Sequence, residues 1–370
     1  MASRVAATPS GTGERAGVSP TVTGAGARSR PATASGQVED GSIRYKKGVD
    51  VQRKRQLLTI LGAAGIASGV PAHEVERDIR EAGARLGAPG VQAQAGPGGV
   101  VVCLGQGGPA TFETVEGGLR LDQAADAEEI RAQLVAGRLD PDDALAQLTA
   151  LRAKPHRSPV SGMYLGGLAV GTGLAFILQP SLAALVLAIL LSPVVVALMR
   201  LTGRGVLPTV MLPLTATFVA GLAAFWAADQ GWLVGPLRSL LPPVAMLLPG
   251  ATLVTGVAEL VSGAMTAGTA RLAYGAVQLL MFAVGVLGAA RLLDVPPSDF
   301  GNVRSDDFGA WSLALGLVLI ALGIAAMEAV RVRFVPWVIL VLGLTLLTQL
   351  AVQAWLAEPW AGGFAGAFVA

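Results

Sequence analysis

The sequence predicts a polytopic α-helical membrane protein, preceded by a disordered tail and a small cytosolic α+β domain. Composition gives the first reason: 53% of the 370 residues are hydrophobic and only 14% charged, with a mean hydropathy of +0.60. Distribution gives the second, because the apolar residues crowd into the second half as runs near the roughly twenty residues that a helix needs to cross a bilayer. The third is the contrast with residues 1–50, which hold almost no large side chains. Net charge is only +2 and aromatics make up 5% of the chain, too little for a nucleic-acid partner.

Residues 1–50 are rich in Gly, Ala, Ser, Thr, Pro and Arg and have no sustained apolar periodicity, so they read as a disordered tail. They also lack the continuous apolar stretch of a signal peptide. Residues 51–158 read as the cytosolic α+β domain. Pro71 sits at the start of a helix in which Val75, Ile79 and Leu86 recur at helical spacing, and Gly87 is a plausible stop. Val100–Leu104 and Ala110–Val115 read as hairpin strands, with the lone Cys103 in the strand core. A second helix is expected over Ala125–Val135. A third opens at Asp140-Pro141, an N-cap followed by proline at the first helical position, and carries Leu145, Leu148 and Leu151 on one face.

Residues 159–370 form the expected transmembrane domain. Apolar spans fall at about 160–178, 181–199, 206–228, 241–265, 270–293, 309–330 and 334–355, seven in all, and Trp360–Ala370 reads as a partial eighth. That last run marks either a fragment or an end lying in the interface. With the N-terminal domain in the cytoplasm, Arg152, Lys154, Arg157, Arg200, Arg204, Arg271, Arg331 and Arg333 lie inside and Arg238, Arg291 and Arg304 outside, as the positive-inside rule requires. The expected location is therefore the plasma (cytoplasmic) membrane. Gly162, Gly166, Gly167, Gly171 and Gly173 in the first span permit close helix approach, and packing within the bundle accounts for them better than a dimer face.

Catalytic signatures are nearly absent. His73-Glu74 lacks the second histidine of a zinc-protease helix, and with His156 the only other histidine no His-based metal site is expected. Gly65-Ile66-Ala67-Ser68-Gly69 misplaces the serine of a nucleophile elbow, and there is no P-loop. Neither a metal nor another cofactor is expected. A membrane-tethered hydrolase using Ser68, His73 and Glu74 is the weakest of three readings.

The strongest signal lies in the fourth span. Pro249 removes a backbone donor, Leu248 is pushed out of helical geometry, and Gly250 permits the dihedrals of an interrupted helix. A half-helix from about Ala251 then presents free N–H groups, an arrangement suited to a carboxylate. Thr252, Thr255 and Glu259 share one face beyond it. The candidate binding residues are Pro249, Gly250, Ala251, Thr252, Thr255 and Glu259, with Glu259 and Arg271 as candidates for coupling or gating. The plainer alternatives are a proline kink and, for Arg271, a snorkelling anchor.

Leu248-Pro249-Gly250, Glu259-Leu260, Ser262-Gly263 and Gly268-Thr269-Ala270-Arg271-Leu272 together resemble the bacterial threonine/serine exporter family. So do Gly62–Gly87, with Ser68 and Glu74-Val75-Glu76, and the Gly137–Leu151 helix. The likeness covers about residues 53–293 closely and the spans beyond 309 more loosely. It implies a cytosolic N-terminal domain, about ten spans, and export of threonine or serine driven by an ion gradient, the proton motive force being the expected source. This chain departs from the pattern by ending near its eighth span and by carrying Glu259 where Asp is more usual. The early end supports the remaining reading, a membrane subunit that needs a homo-oligomer or a second membrane chain.

Overall fold

The computed structural model describes residues 36–156, 160–179, 181–296, 300, 303 and 307–356. The chain divides into two compact units, residues 1–48 and 49–370. The first is described only from Gly36, where helix α1 (Gly36–Ala67) begins. Residues 36–50, assigned to the tail by composition, are thus helical. They extend a helix whose later turns bury Leu57, Leu58 and Leu61, and propagation from an anchored segment adds one hydrogen bond per residue fixed.

The second unit opens with an α+β lobe. After α1 come α2 (Ala72–Arg85), strands β1 (Gln92–Gly96), β2 (Gly99–Cys103) and β3 (Ala110–Thr114), then α3 (Leu121–Val135) and α4 (Pro141–Ala150). The strands pair antiparallel in the order β1-β2-β3, with Val100 opposite Ala95 and Glu113. Gly69, at φ 87°, turns the chain between α1 and α2. A Cβ on Gly62 would lie 2.6 Å from Ile79 Cδ1, so the glycine sets how closely the two helices cross. Val75, Ile79, Val100, Val102, Ile130 and Leu148 share one core with the α1 leucines. Asp140 caps α4 as expected, its side chain accepting from Asp142 N–H at 2.9 Å.

Two details of the lobe differ from expectation. β1 is an additional strand, of sequence Gln-Ala-Gln-Ala-Gly, which has no β-branched or aromatic residue to announce it. Cys103 is half-buried rather than core, because the pleat of β2 turns Val100 and Val102 inward and leaves Val101 and Cys103 on the other face. Its thiol lies 2.7 Å from the carbonyl of Gly105.

The second half is helical: α5 (Ser161–Leu178), α6 (Leu182–Gly203), α7 (Leu212–Asp229), α8 (Pro236–Val244), α9 (Gly250–Val261), α10 (Met265–Leu292), α11 (Trp311–Met327) and α12 (Val335–Leu356). All seven expected runs are helical, but the spans number fewer. Among the described residues five helices are long and apolar enough to cross a membrane, or up to six if the bent pair Pro236–Leu247 and Gly250–Val261 is one span. α11 stops at 17 residues. Trp360–Ala370, Arg157 and Arg304 lie outside the described residues.

Close glycine contacts hold the bundle. α5 and α11 run antiparallel with Gly166 against Gly323 and Gly173 against Gly316; a Cβ on Gly173 would sit 2.6 Å from the Gly316 carbonyl oxygen. Gly167 and Gly171 face Val196 and Ser192 of α6. The glycine face of α5 is therefore occupied within the chain. α7 and α10 meet through Thr217, whose hydroxyl donates to the Phe282 carbonyl at 3.1 Å. The start of α10 leaves the bundle and enters the lobe, where Ala267 is buried in the lobe core.

Candidate functional site

The expected break is present. α8 carries Pro242 and Pro243 and ends in a single 3-10 turn over Ala245–Leu247. Leu248 is extended, at φ −68° and ψ 130°, as the ring of the following proline demands. Helix resumes at Gly250, and the two halves meet at 63°. The first bond of α9 runs from Leu253 N–H to the Pro249 carbonyl at 3.0 Å, so the N–H groups of Gly250, Ala251 and Thr252 are those a helix start leaves without an intrahelical partner. Pro249 is buried, Gly250 and Ala251 are exposed, and Thr252 and Thr255 are half-buried.

Twelve residues of α9 lead to a hairpin with α10. Gly263, at φ 87°, turns the chain, and Gly256 and Gly268 bring the helices together: a Cβ on Gly268 would lie 2.7 Å from the Gly256 carbonyl oxygen. Glu259 and Arg271 each stand three residues beyond one of these glycines, one turn from the crossing on either helix. Their side chains meet there, Arg271 Nε donating to Glu259 Oε1 at 3.1 Å. Glu259 is fully buried.

The same oxygen has a second donor. The Ala72 N–H, in the first turn of α2 and 187 residues away, donates to Glu259 Oε1 at 2.9 Å. A carboxylate at a helix N-terminus meets free N–H groups and the positive end of the helix dipole, a favourable pairing. Beside it His73 Nδ1 lies 2.9 Å from Ser262 Oγ, which also donates to the Glu259 carbonyl at 2.9 Å. Two further polar atoms of the pair, Glu259 Oε2 and Arg271 Nη2, are buried without a hydrogen-bond partner.

This placement changes the sequence-derived picture in two ways. Glu259 lies in the last turn of α9, against the lobe, rather than lining an open face shared with Thr252 and Thr255. Gly250 and Glu259 are nine residues apart, about 13 Å along the axis. The carboxylate and amine of an α-amino acid share one carbon and cannot reach both ends at once. His73, set aside in the sequence for want of a second histidine, stands at the junction; nothing local in the sequence announces the contact, which needs the tertiary fold. Ser68 points elsewhere, its hydroxyl donating at 2.8 Å to the Ala64 carbonyl in the last turn of α1, the helix it follows.

A second polar cluster joins the lobe to the loop after α11. Lys154 and Arg331 both bind the Asp126 carboxylate, Arg331 also approaches Glu129 at 3.3 Å, and Leu121 N–H donates to Glu328 at 3.4 Å. Burial works to raise Asp122, but hydrogen bonds from Arg120 and Lys154 outweigh it and hold the carboxyl below its ordinary range. Lys154 is raised, chiefly by its bond to Asp126. At Asp78 burial prevails over the charges of Arg131 and Arg77, and its carboxyl is raised.

The ThrE family model, described as a putative threonine/serine exporter, matches residues 56–293. The chain belongs to this exporter family. The matched stretch starts within α1 and ends just past α10, so it holds the lobe, the break and the Glu259–Arg271 pair. No curated protein and no solved structure matches the chain. Family membership and the apolar helices together make this a multi-pass membrane protein of transport function.

Proposed function

We propose that this exporter moves L-threonine or L-serine out of the cytoplasm in exchange for protons, through the plasma membrane and with its N-terminus inside. The observation that carries the reading is the fully buried Glu259, ion-paired to Arg271 yet with one oxygen bare. Ionisable residues among apolar helices are costly to keep and mark transport pathways.

The separation of the break from Glu259 divides the work. The N–H groups of Gly250, Ala251 and Thr252 take the substrate carboxylate, and the hydroxyls of Thr252 and Thr255 meet its amine and hydroxyl. Glu259 takes the coupled proton on Oε2, because Oε1 already accepts from Arg271 and Ala72. Arg271 holds the carboxylate in place and compensates its charge while ionised. Orientation is supported by the ion pairing of Arg331 with the lobe and by the position of Arg271 at the lobe's side of the hairpin.

Vesicles loaded with labelled threonine, serine, leucine or glutamate test the assignment. Threonine and serine leave faster than the others, and a proton uncoupler stops them; equal efflux of all four, or efflux indifferent to the uncoupler, contradicts it. A second reading, in which the chain works with another copy or a second membrane subunit, is favoured by α12, whose apolar window has no buried residue. The mass of the purified protein in detergent and the identity of any copurifying chain decide between them.

A further inference from the structure

The lobe's contact with the hairpin suggests more than support. Ala72 N–H and Glu259 Oε1 are both buried, and the bond between them joins the first turn of a 14-residue helix to the last turn of the broken span. Beside it the His73–Ser262 contact closes the edge. The bare Glu259 Oε2 is a polar atom enclosed within the same junction. A structural anchor made once and kept for good needs no ionisable group and leaves no atom unsatisfied.

We propose that the N-terminal turn of α2 is a removable plug on the lobe side of the α9–α10 hairpin, latched by Glu259 in its carboxylate form and released when Glu259 takes up a proton. This rests on the exporter reading and deepens it by giving the lobe a gating role. The charged and titratable groups at the junction are Arg271 on α10 and His73 and Glu74 on α2. Arg271 supplies positive charge whatever the pH. His73 Nδ1 is engaged by Ser262, and its Nε2 lies 3.9 Å from Glu74 Oε1. Glu259 is the group that accepts from both donors, one of them at a helix N-terminus, so its charge sets how strongly they are held, and the Glu259→Gln variant separates its part from that of His73. A carboxylate accepts both bonds with full charge assistance; a neutral carboxyl accepts them weakly. A proton arriving on Oε2 thus weakens the latch.

Ala72→Pro offers a selective probe. It removes the N–H donor but keeps Glu259 and Arg271. Ala72 is the first helical residue, a position that tolerates proline, and Pro71 already has the φ −59° and ψ 144° that a following proline requires. Nitroxide labels are placed at Arg77→Cys on α2 and Val261→Cys on α9, both exposed positions, with Cys103→Ser removing the native thiol. Pulsed dipolar spectroscopy on the full chain in lipid discs then reports the distance between lobe and hairpin.

The expected result is a single short distance at pH 8 and a growing longer population at pH 5. Ala72→Pro raises the longer population at pH 8 by roughly tenfold or more, the loss of a charge-assisted bond. Glu259→Gln makes the distribution independent of pH. A distribution unmoved by pH and by Ala72→Pro overturns the plug. Joining His73→Cys to Ser262→Cys in the same background tests its role in transport: the oxidised protein is expected to lose threonine efflux and regain it on reduction. Full efflux in the cross-linked state overturns the gate. Absence of efflux before cross-linking sinks the exporter reading instead, while the distance measurement still decides whether the plug moves.

Discussion

α5–α11 and α9–α10 are both antiparallel helix pairs drawn together by glycines, yet they have been put to different uses. In α5–α11 each of Gly166, Gly173, Gly316 and Gly323 meets the backbone of the partner helix, and no charge enters the contact. In α9–α10 the glycines at 256 and 268 bring the helices equally near, and the next turn is spent on Glu259 and Arg271. Each pair leaves a buried polar atom unmatched, Thr172 Oγ1 on α5 in the first, but only in the second do the unmatched atoms belong to ionisable groups. Close packing alone therefore does not mark a site in this bundle; close packing beside an unsatisfied ionisable pair does.

Substitutions at the two pairs sharpen that contrast. Arg271→Leu carries the largest expected effect, about 3–5 kcal/mol of lost stability, because it strands a buried carboxylate. Adding Glu259→Leu recovers much of this loss while removing proton coupling, which thermal melts in detergent and efflux assays separate. Recovery of both stability and coupling in the double variant breaks the comparison. Gly173→Leu comes next, at about 1–3 kcal/mol or more, since the partner is backbone and cannot swing aside. It lowers melting temperature and yield, and efflux per folded molecule stays near the wild-type value.

Smaller effects belong to the lobe. Asp122→Asn destabilises the α3 contact by about 1 kcal/mol near neutral pH. Because the folded carboxyl is held below its ordinary range, its contribution is present above the unfolded value and lost as pH falls through the folded one. Hydrogen exchange of the α3 amides therefore shows a variant effect at pH 7 that fades toward pH 3. Arg53→Ala, which breaks an exposed pair with Asp142, leaves exchange and melting unchanged within error.

The parts legible in the sequence are those set by local chemistry. Leu248-Pro249-Gly250 breaks the span where Pro193 alone leaves α6 continuous, because the glycine follows the proline, and Asp140 before Pro141 caps a helix. Small residues four apart announced the packing of α5, though not which helix it meets. The junction was not legible, because a bond between Ala72 and Glu259 spans 187 residues and its donor is a backbone group carrying no side-chain signature. Glu259 was readable as ionisable and misplaced, Arg271 was readable as either anchor or gate, and His73 was discounted for lacking a motif. β1 escaped because its alternating Gln and Ala gain strand character only from pairing with β2.

The claim that Glu259 couples protons to export is tested most directly by gradient-driven threonine efflux from vesicles holding the wild type or Glu259→Gln, normalised to folded protein. Coupling at Glu259 predicts that the imposed proton gradient accelerates the wild type and leaves Glu259→Gln at its gradient-free rate. Equal acceleration of both removes Glu259 from the coupling role.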